Sequence, residues 1–159
     1  MIKQATSQDT AAEIAVISKA IRHCITEPPA IQDELIANCV DNILLSRANS
    51  KTTLHILYWK NDVVVGTLLI TEHNKLSNLF VDPDYQNQGI ASKLLDFVIR
   101  QYIQPNSTRK IYVHSSTYAK GFYHRHGFIA NGVSTDFQGG CIPLVLHIQQ
   151  SVPESHRTN

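Results

Sequence analysis

The chain passes from an apolar, β-rich run into an amphipathic segment through Val81-Asp82-Pro83-Asp84-Tyr85-Gln86-Asn87-Gln88-Gly89-Ile90-Ala91-Ser92. The first turn of that segment, from Gly89 to Lys93, contains no acidic residue, although the helix dipole favours Asp and Glu there. Its small residues would let an external group approach the free backbone N–H groups closely. The turn therefore predicts an anion site at a strand-to-helix junction. The alternative is a helix end solvated by water, with Gly89 only shaping the turn.

The composition of the chain indicates which classes of anionic partner are disfavoured. Fourteen Lys and Arg residues against thirteen Asp and Glu give a net charge of +1, which disfavours nonspecific nucleic-acid binding because that usually needs a basic excess. Neither the GxxxxGK[ST] pattern of nucleotide-binding loops nor the GxGxxG pattern of dinucleotide-binding folds occurs. The 159 residues, 43% hydrophobic and 17% charged, suffice for one folded domain. Any anion is thus expected to be held locally.

Hydrophobic periodicity predicts short alternating elements around this turn. Helices are expected over 10–24, from about 31 to 44, over 89–102 and over 118–126, and strands over 2–5, 52–59, 63–70, 76–81, 110–114, 128–134 and 141–148. Thr10 and Glu13 fit a capping box at the first helix start. The order β-α-α-β-β-β-α-β-α-β-β predicts one mixed α/β domain over residues 1–148, followed by a polar tail over 149–159.

The cysteines and histidines predict no structural bridge or metal centre. Cys24, Cys39 and Cys141 are too few, too widely spaced and odd in number for a disulfide framework or a zinc ribbon. His124 and His126 stand two apart on a helix and are expected on a solvated surface. No signal peptide and no run near the ~20 apolar residues of a membrane span occurs. We therefore expect a cytoplasmic protein that does not bind membranes.

Two motifs carry a resemblance to a known family. Gln86-Asn87-Gln88-Gly89-Ile90-Ala91 resembles the Q/R-x-x-G-x-G/A motif of the GCN5-related N-acetyltransferases (GNAT), and it stands where that family places it. Ala119-Lys120-Gly121-Phe122-Tyr123-His124-Arg125-His126-Gly127-Phe128 resembles the family's A-x-x-F-Y-x-x-x-G-F signature. The resemblance covers roughly residues 1–148 and is most specific over 53–130. Within this family, the chain is similar to small bacterial members.

The resemblance implies a fold and a cofactor. The fold would be a mixed, mostly antiparallel sheet with a splayed central strand pair, flanked by about four helices. Acetyl-coenzyme A would be the co-substrate, with no metal. Its pyrophosphate would rest on the turn, its pantetheine arm would pair with the strand before the turn, and two residues near the second signature would add contacts. The implied cofactor-binding residues are Leu79, Phe80, Val81, Gln86, Asn87, Gln88, Gly89, Ile90, Ala91, Ser92, Ser116 and Phe122.

The implied reaction is acetyl transfer to an amine, and its catalytic residues are less defined. Tyr123 stands at the family's general-acid position, although a tyrosine packed in an aromatic cluster is the alternative. A backbone N–H of Phe80 or Val81 is the implied oxyanion donor, since family members bulge this strand. The general base is His114, Glu72 or no dedicated residue. Many relatives use a Glu on these strands, but residues 76–81 contain no acid.

Several functions stay open. The acceptor is expected to be a primary amine of a small molecule or a peptide. The alternatives are a noncatalytic acyl-CoA sensor on the same fold and a transferase acting on a protein or tRNA. Ser116 replaces the asparagine that often precedes the second signature, which weakens one cofactor contact. Homodimers are common among relatives, and no sequence feature here specifies one.

Overall fold

Seven strands form one sheet in the computed structural model, which describes residues 1–71, 74–103, 109–135 and 140–148. The strands are β1 (Ile2–Gln4), β2 (Leu54–Lys60), β3 (Val63–Thr71), β4 (Lys75–Val81), β5 (Lys110–Ser115), β6 (Ile129–Ala130) and β7 (Ile142–His147). The α-helices are α1 (Thr10–Cys24), α2 (Pro29–Ala48), α3 (Ile90–Val98) and α4 (Lys120–Arg125). The strand order is β1-β2-β3-β4-β5-β7-β6. The architecture is the expected α/β fold.

The first four strands form an antiparallel meander. Asn61 and Asp62 join β2 to β3 with positive φ values of 49° and 61°, the geometry of a tight two-residue hairpin turn. Both residue types tolerate this left-handed conformation better than most side chains do. The strands predicted over 52–59 and 63–70 are therefore joined by a hairpin turn, which sets the register of β2 against β3.

The sheet opens between β4 and β5. These strands are parallel and share only two registered pairs, Lys75 with Tyr112 and Leu76 with Val113. Ser77 is a bulge in β4, because Asn78 pairs with Leu69 whereas Leu76 pairs with the next β3 residue. Beyond the bulge, β4 stays paired with β3 and separates from β5. The expected splayed pair is confirmed, but the irregularity lies at Ser77 and not at the end of the strand.

The helices cover both faces of the sheet. On one face α1 and α2 pack together, with Ile17, Ile21 and Ile43 buried between them. On the other face α3 buries Leu94 and Val98 in the main core. These positions follow the helical spacing of the apolar residues in each segment. Among the helices described, none is long and apolar enough to cross a bilayer.

The entry to α1 differs from the sequence expectation. The Asp9 carboxylate accepts hydrogen bonds from the Thr6 backbone N–H at 2.8 Å and from its hydroxyl at 3.0 Å, so the helix entry is stabilised before Thr10. Glu13 is fully buried against the sheet, where it accepts a hydrogen bond from the Thr67 hydroxyl at 2.6 Å and pairs with His55 Nε2. The predicted capping box of Thr10 and Glu13 is therefore wrong, because burial takes the Glu13 side chain away from the helix end.

Other boundaries moved by a few residues. The second helix begins at Pro29, since proline suits the first turn of a helix. The segment predicted as one helix over 89–102 is α3 followed by a π-helical turn, Ile99–Ile103. The strand predicted over 128–134 is reduced to the two residues of β6.

Candidate active site

The opening between β4 and β5 leads into a cavity of about 430 Å³. Four parts of the chain line it: the last turns of α1 with the residue after it, the end of β4, the turn into α3, and the segment from Ser116 to His126. The cofactor-binding residues predicted from the sequence all line it except Gln88. This space therefore brings Ile25 and residues 79–92 together with α4, which is distant from them in sequence. We call this space the cavity.

The turn before α3 presents unpartnered backbone N–H groups to the cavity. Gly89 is left-handed, with φ of +78°, and caps α3. The first helical bond of α3 is the Lys93 N–H to the Gly89 carbonyl, and among the described residues the N–H groups from Gln88 to Ser92 have no acceptor. A Cβ on Gly89 would meet nothing within 4 Å, so the space beside this residue is open. The turn can therefore receive an oxyanion.

The two glutamines of the turn have different positions. The Gln86 amide donates to the Val81 carbonyl at 3.1 Å and to Cys24 Sγ at 3.6 Å, and it accepts from the Tyr118 hydroxyl at 3.2 Å. Its side chain thus joins α1, β4 and the segment before α4 across the cavity. The Gln88 amide instead accepts from Lys60 at 2.6 Å outside the cavity. A Gln86 side chain that contacts an anion would have to leave these partners.

Arg125 of α4 brings a positive charge to the cavity. His126 also lines it, whereas Lys93 lies over the Tyr58 ring at 5.8 Å, away from the cavity. No carboxylate occurs among the described residues that line the cavity. The described part of the chain also holds no cluster of three or more metal-binding side chains. The cavity therefore favours an anionic ligand.

Tyr123 of α4 reaches the cavity from the core. It is 5% exposed and lines the cavity, and its ring packs edge-on against Phe122 at 5.3 Å and Phe128 at 5.1 Å between centroids. The two sequence interpretations, aromatic cluster and cavity residue, therefore hold together. Burial raises the pKa of the Tyr123 phenol well above its usual range. The hydroxyl is consequently kept protonated and can donate a proton.

One of the base candidates, His114, does not line the cavity that holds Tyr123. His114 is exposed on β5 and is not among the residues lining the cavity, because the buried residues of that strand alternate with it. Glu72 lies outside the described residues. Asn78 of β4 is buried and hydrogen-bonded to Asn42 and to the Cys39 carbonyl of α2. Ser116 does line the cavity, and its hydroxyl accepts the Ala119 N–H at 3.1 Å.

His126 is a cavity residue that sequence analysis missed. The solvated surface expected for it is wrong: its Nε2 lies 2.9 Å from the Ser92 hydroxyl, and its ring stacks on Phe122 at 4.3 Å between centroids. The expectation holds for His124, which is exposed. His126 is four residues after Phe122 and three after Tyr123, so helical spacing could have placed it on their side of α4.

Family comparison agrees with this geometry. Residues 26–144 match the family model of the acetyltransferase (GNAT) domain, which is well over half of the chain. The chain belongs to the GNAT family of acetyltransferases. The splayed strands β4 and β5, the turn before α3 and helix α4 thus belong to a GNAT acetyltransferase fold.

Individual relatives share only part of their sequence with this chain. Over 104 residues the GNAT chain is 33% identical to the peptidyl-lysine N-acetyltransferase YjaB of Salmonella typhimurium, which covers 64% of this chain and 68% of YjaB. The PaiA N-acetyltransferase of Thermoplasma acidophilum, solved with coenzyme A, superposes with a TM-score of 0.76 at 16% identity, covering 92% of this chain and 98% of that one. A GNAT acetyltransferase of Brucella melitensis, solved with acetyl-CoA, gives 0.67 at 21% identity, covering 96% and 90%. These two solved structures share the fold.

Proposed function

We propose that the protein transfers the acetyl group of acetyl-CoA to a primary amine of a peptide or small molecule. The observation that carries this proposal is the cavity, in which an open phosphate turn and a protonated, buried Tyr123 face one gap in the sheet. The names of the relatives support it, because YjaB is called a peptidyl-lysine N-acetyltransferase and two solved relatives hold coenzyme A or acetyl-CoA.

The described residues fit the cofactor. Its pyrophosphate would accept hydrogen bonds from the free N–H groups between Gln88 and Ser92, close to Arg125. Its pantetheine arm would lie along Leu79, Phe80 and Val81 in the gap that β5 leaves open. The arm can pair with β4 because this edge of the strand lacks a neighbour, and unpaired strand edges bind extended chains.

Strand alternation indicates which N–H group could stabilise the developing oxyanion. The Asp82 N–H donates to the Val65 carbonyl of β3 at 2.8 Å. Because N–H groups of successive residues point to opposite edges of a strand, the Val81 N–H then points into the gap and the Phe80 N–H points to β3. Of the two donors considered from the sequence, Val81 is the one this geometry favours.

Tyr123 would protonate the leaving group. When bound, acetyl-CoA supplies the thioester whose acetyl group is transferred to the amine. Burial raises the pKa of the Tyr123 phenol, so its hydroxyl still carries the proton at neutral pH. No described residue lining the cavity is a carboxylate, and the two histidine positions differ, with His114 outside and His126 at the phosphate turn. We infer that the acceptor amine binds already deprotonated.

A Tyr123→Phe variant tests this assignment. Removing the phenolic hydroxyl should lower kcat about 100-fold or more, as expected for loss of a general acid, and leave the affinity for coenzyme A within about twofold. Acetyl transfer is measured as free thiol released from acetyl-CoA across a panel of amines and lysine peptides, with affinity measured by calorimetry. Tyr118→Phe is the matched control, because Tyr118 also lines the cavity but is exposed. Unchanged turnover in Tyr123→Phe would remove the residue from the acid role.

One observation favours a second candidate, an acyl-CoA sensor without catalysis. The described lining of the cavity offers no carboxylate that could act as a base. Such a sensor would bind acetyl-CoA but release no thiol with any amine in the panel. Failure to bind coenzyme A at high micromolar concentration would refute both functions.

A further inference from the structure

We propose that His126 and Ser92 form a proton-linked phosphate contact, in which protonation of His126 turns the Ser92 hydroxyl into a donor for the cofactor's diphosphate. This rests on the proposed function, because it concerns how the same cavity binds coenzyme A. The pair joins the first turn of α3 to the end of α4, and both residues line the cavity.

The hydrogen bonds of His126 define its tautomer. Nδ1 lies 2.9 Å from the Phe122 carbonyl oxygen, which can only accept, so Nδ1 carries a proton whether the ring is neutral or charged. Nε2 faces the Ser92 hydroxyl at 2.9 Å. In the neutral ring Nε2 lacks a proton and must accept the hydrogen of Ser92. The Ser92 oxygen then offers only lone pairs to an approaching phosphate.

Protonation reverses this bond. With a proton on Nε2, His126 donates to the Ser92 oxygen, and the hydroxyl hydrogen is free to bond to a phosphate oxygen beside the open N–H groups of the turn. The imidazolium also adds one positive charge. The proton comes from the solvent, so binding of the diphosphate near neutral pH is accompanied by net proton uptake.

The surrounding charges are compatible with this role. Arg125, the last residue of α4, precedes His126 and lines the same cavity, as do Cys24, Tyr85, Tyr118 and Tyr123. The acid nearest on α3 is Asp96, one turn after Ser92 and exposed. Among the described residues that line the cavity, His126 is the one imidazole.

Calorimetry with dephospho-coenzyme A tests the proposal. This probe keeps the diphosphate but lacks the 3′-phosphate, whose own titration near pH 6 would obscure that of the protein. Binding is measured between pH 5.5 and 7.5, below the titration of the probe's thiol, in buffers of different ionisation enthalpy. We expect affinity to rise about five- to tenfold as the pH falls, with uptake of about half a proton per ligand at the midpoint. Uptake below about 0.1 proton would overturn the proposal.

Two histidines of one helix provide the variant and its control. His126→Gln should abolish the proton uptake and flatten the pH dependence. His124→Gln should leave both unchanged, because His124 is exposed and its Nδ1 bonds the Phe128 carbonyl instead. Equal uptake in His126→Gln and wild type would overturn the proposal.

A measurement on the wild-type chain needs no variant. At pH 6.5 one histidine ring signal in the NMR spectrum should move toward its protonated position when dephospho-coenzyme A is added, and the absence of such a change would also refute the contact. If the chain binds no coenzyme A at all, the proposed function fails; if it binds and acetylates without proton uptake, only this inference fails.

Discussion

Replacing Gly89 with alanine should separate the strain of the turn from its role in binding. Gly89 has φ of +78°, where a side chain is strained, but its new Cβ would meet no atom within 4 Å. The left-handed conformation costs an L-residue about 1–2 kcal/mol, partly offset by the lower entropy of the unfolded chain. We therefore expect Gly89→Ala to lower the free energy of unfolding by about 1 kcal/mol, or about 2–4 °C in Tm for a domain of this size.

The effect on binding should be larger. The added methyl group projects into open space beside the turn, and a diphosphate bound to the N–H groups from Gln88 to Ser92 would have to share that space. Losing one charge-assisted hydrogen bond costs about 1.5–3 kcal/mol, so the Kd for coenzyme A should rise about 10- to 100-fold. Calorimetric titration gives the affinity, and thermal melting gives the stability.

Gly127→Ala is the control for strain alone. Gly127 has a similar φ of +89°, its Cβ would meet only the Leu146 side chain at 3.3 Å, and it does not line the cavity. This variant should lose a similar amount of stability and keep its affinity for coenzyme A. Equal loss of affinity in the two variants, or no loss in Gly89→Ala, would refute the placement of the diphosphate on the turn.

Three further predictions concern protons and buried partners. The rate of acetyl transfer should rise with pH as the amine deprotonates. Because burial raises the pKa of Tyr123, this rate should not decline at any pH below about 10, and a decline near pH 8 would contradict the assignment of Tyr123 as the general acid. Glu13→Ala removes the buried partner of His55 and should lower the free energy of unfolding by about 3–5 kcal/mol in urea denaturation, whereas a loss below about 1 kcal/mol would contradict it. Burial raises the pKa of the Cys39 thiol to about 12, so an alkylating reagent at neutral pH should label Cys24 faster than Cys39, as measured by mass spectrometry. Coenzyme A should slow the labelling of Cys24, which lines the cavity, and equal rates with and without it would argue against binding there.

Local patterns predicted much of the fold. The tight turn at Asn61 and Asp62, between two predicted strands, depends on two residue types that tolerate positive φ, and the turn at Gly89 depends on a residue without a side chain. Each is a property of a few consecutive residues, so sequence alone was sufficient. Helix and strand existence followed the apolar spacing for the same reason, while boundaries moved where packing outweighed propensity.

The sequence predictions were wrong for Glu13 and His126, because each residue type occurs both at helix ends or surfaces and in buried contacts. Glu13 has the spacing of a capping residue, but its carboxylate bonds Thr67 of β3, a strand more than fifty residues away. His126 has the polarity of a surface residue, but it meets Ser92 of α3 inside the cavity. In both cases the partner belongs to another element, and no local pattern specifies which elements face each other.

The sequence by itself determined the small-residue turn before α3, because free N–H groups at a helix start are a backbone property of adjacent residues. It also placed Tyr123 beside that turn through a motif. Only the tertiary structure decided what surrounds them: the exposure of His114, the hydrogen bonds that hold Gln86, and the pairing of His126 with Ser92. Those contacts depend on how β4 and β5 separate and how α3 meets α4. That arrangement is set by packing between distant segments, which the order of residues along the chain does not display.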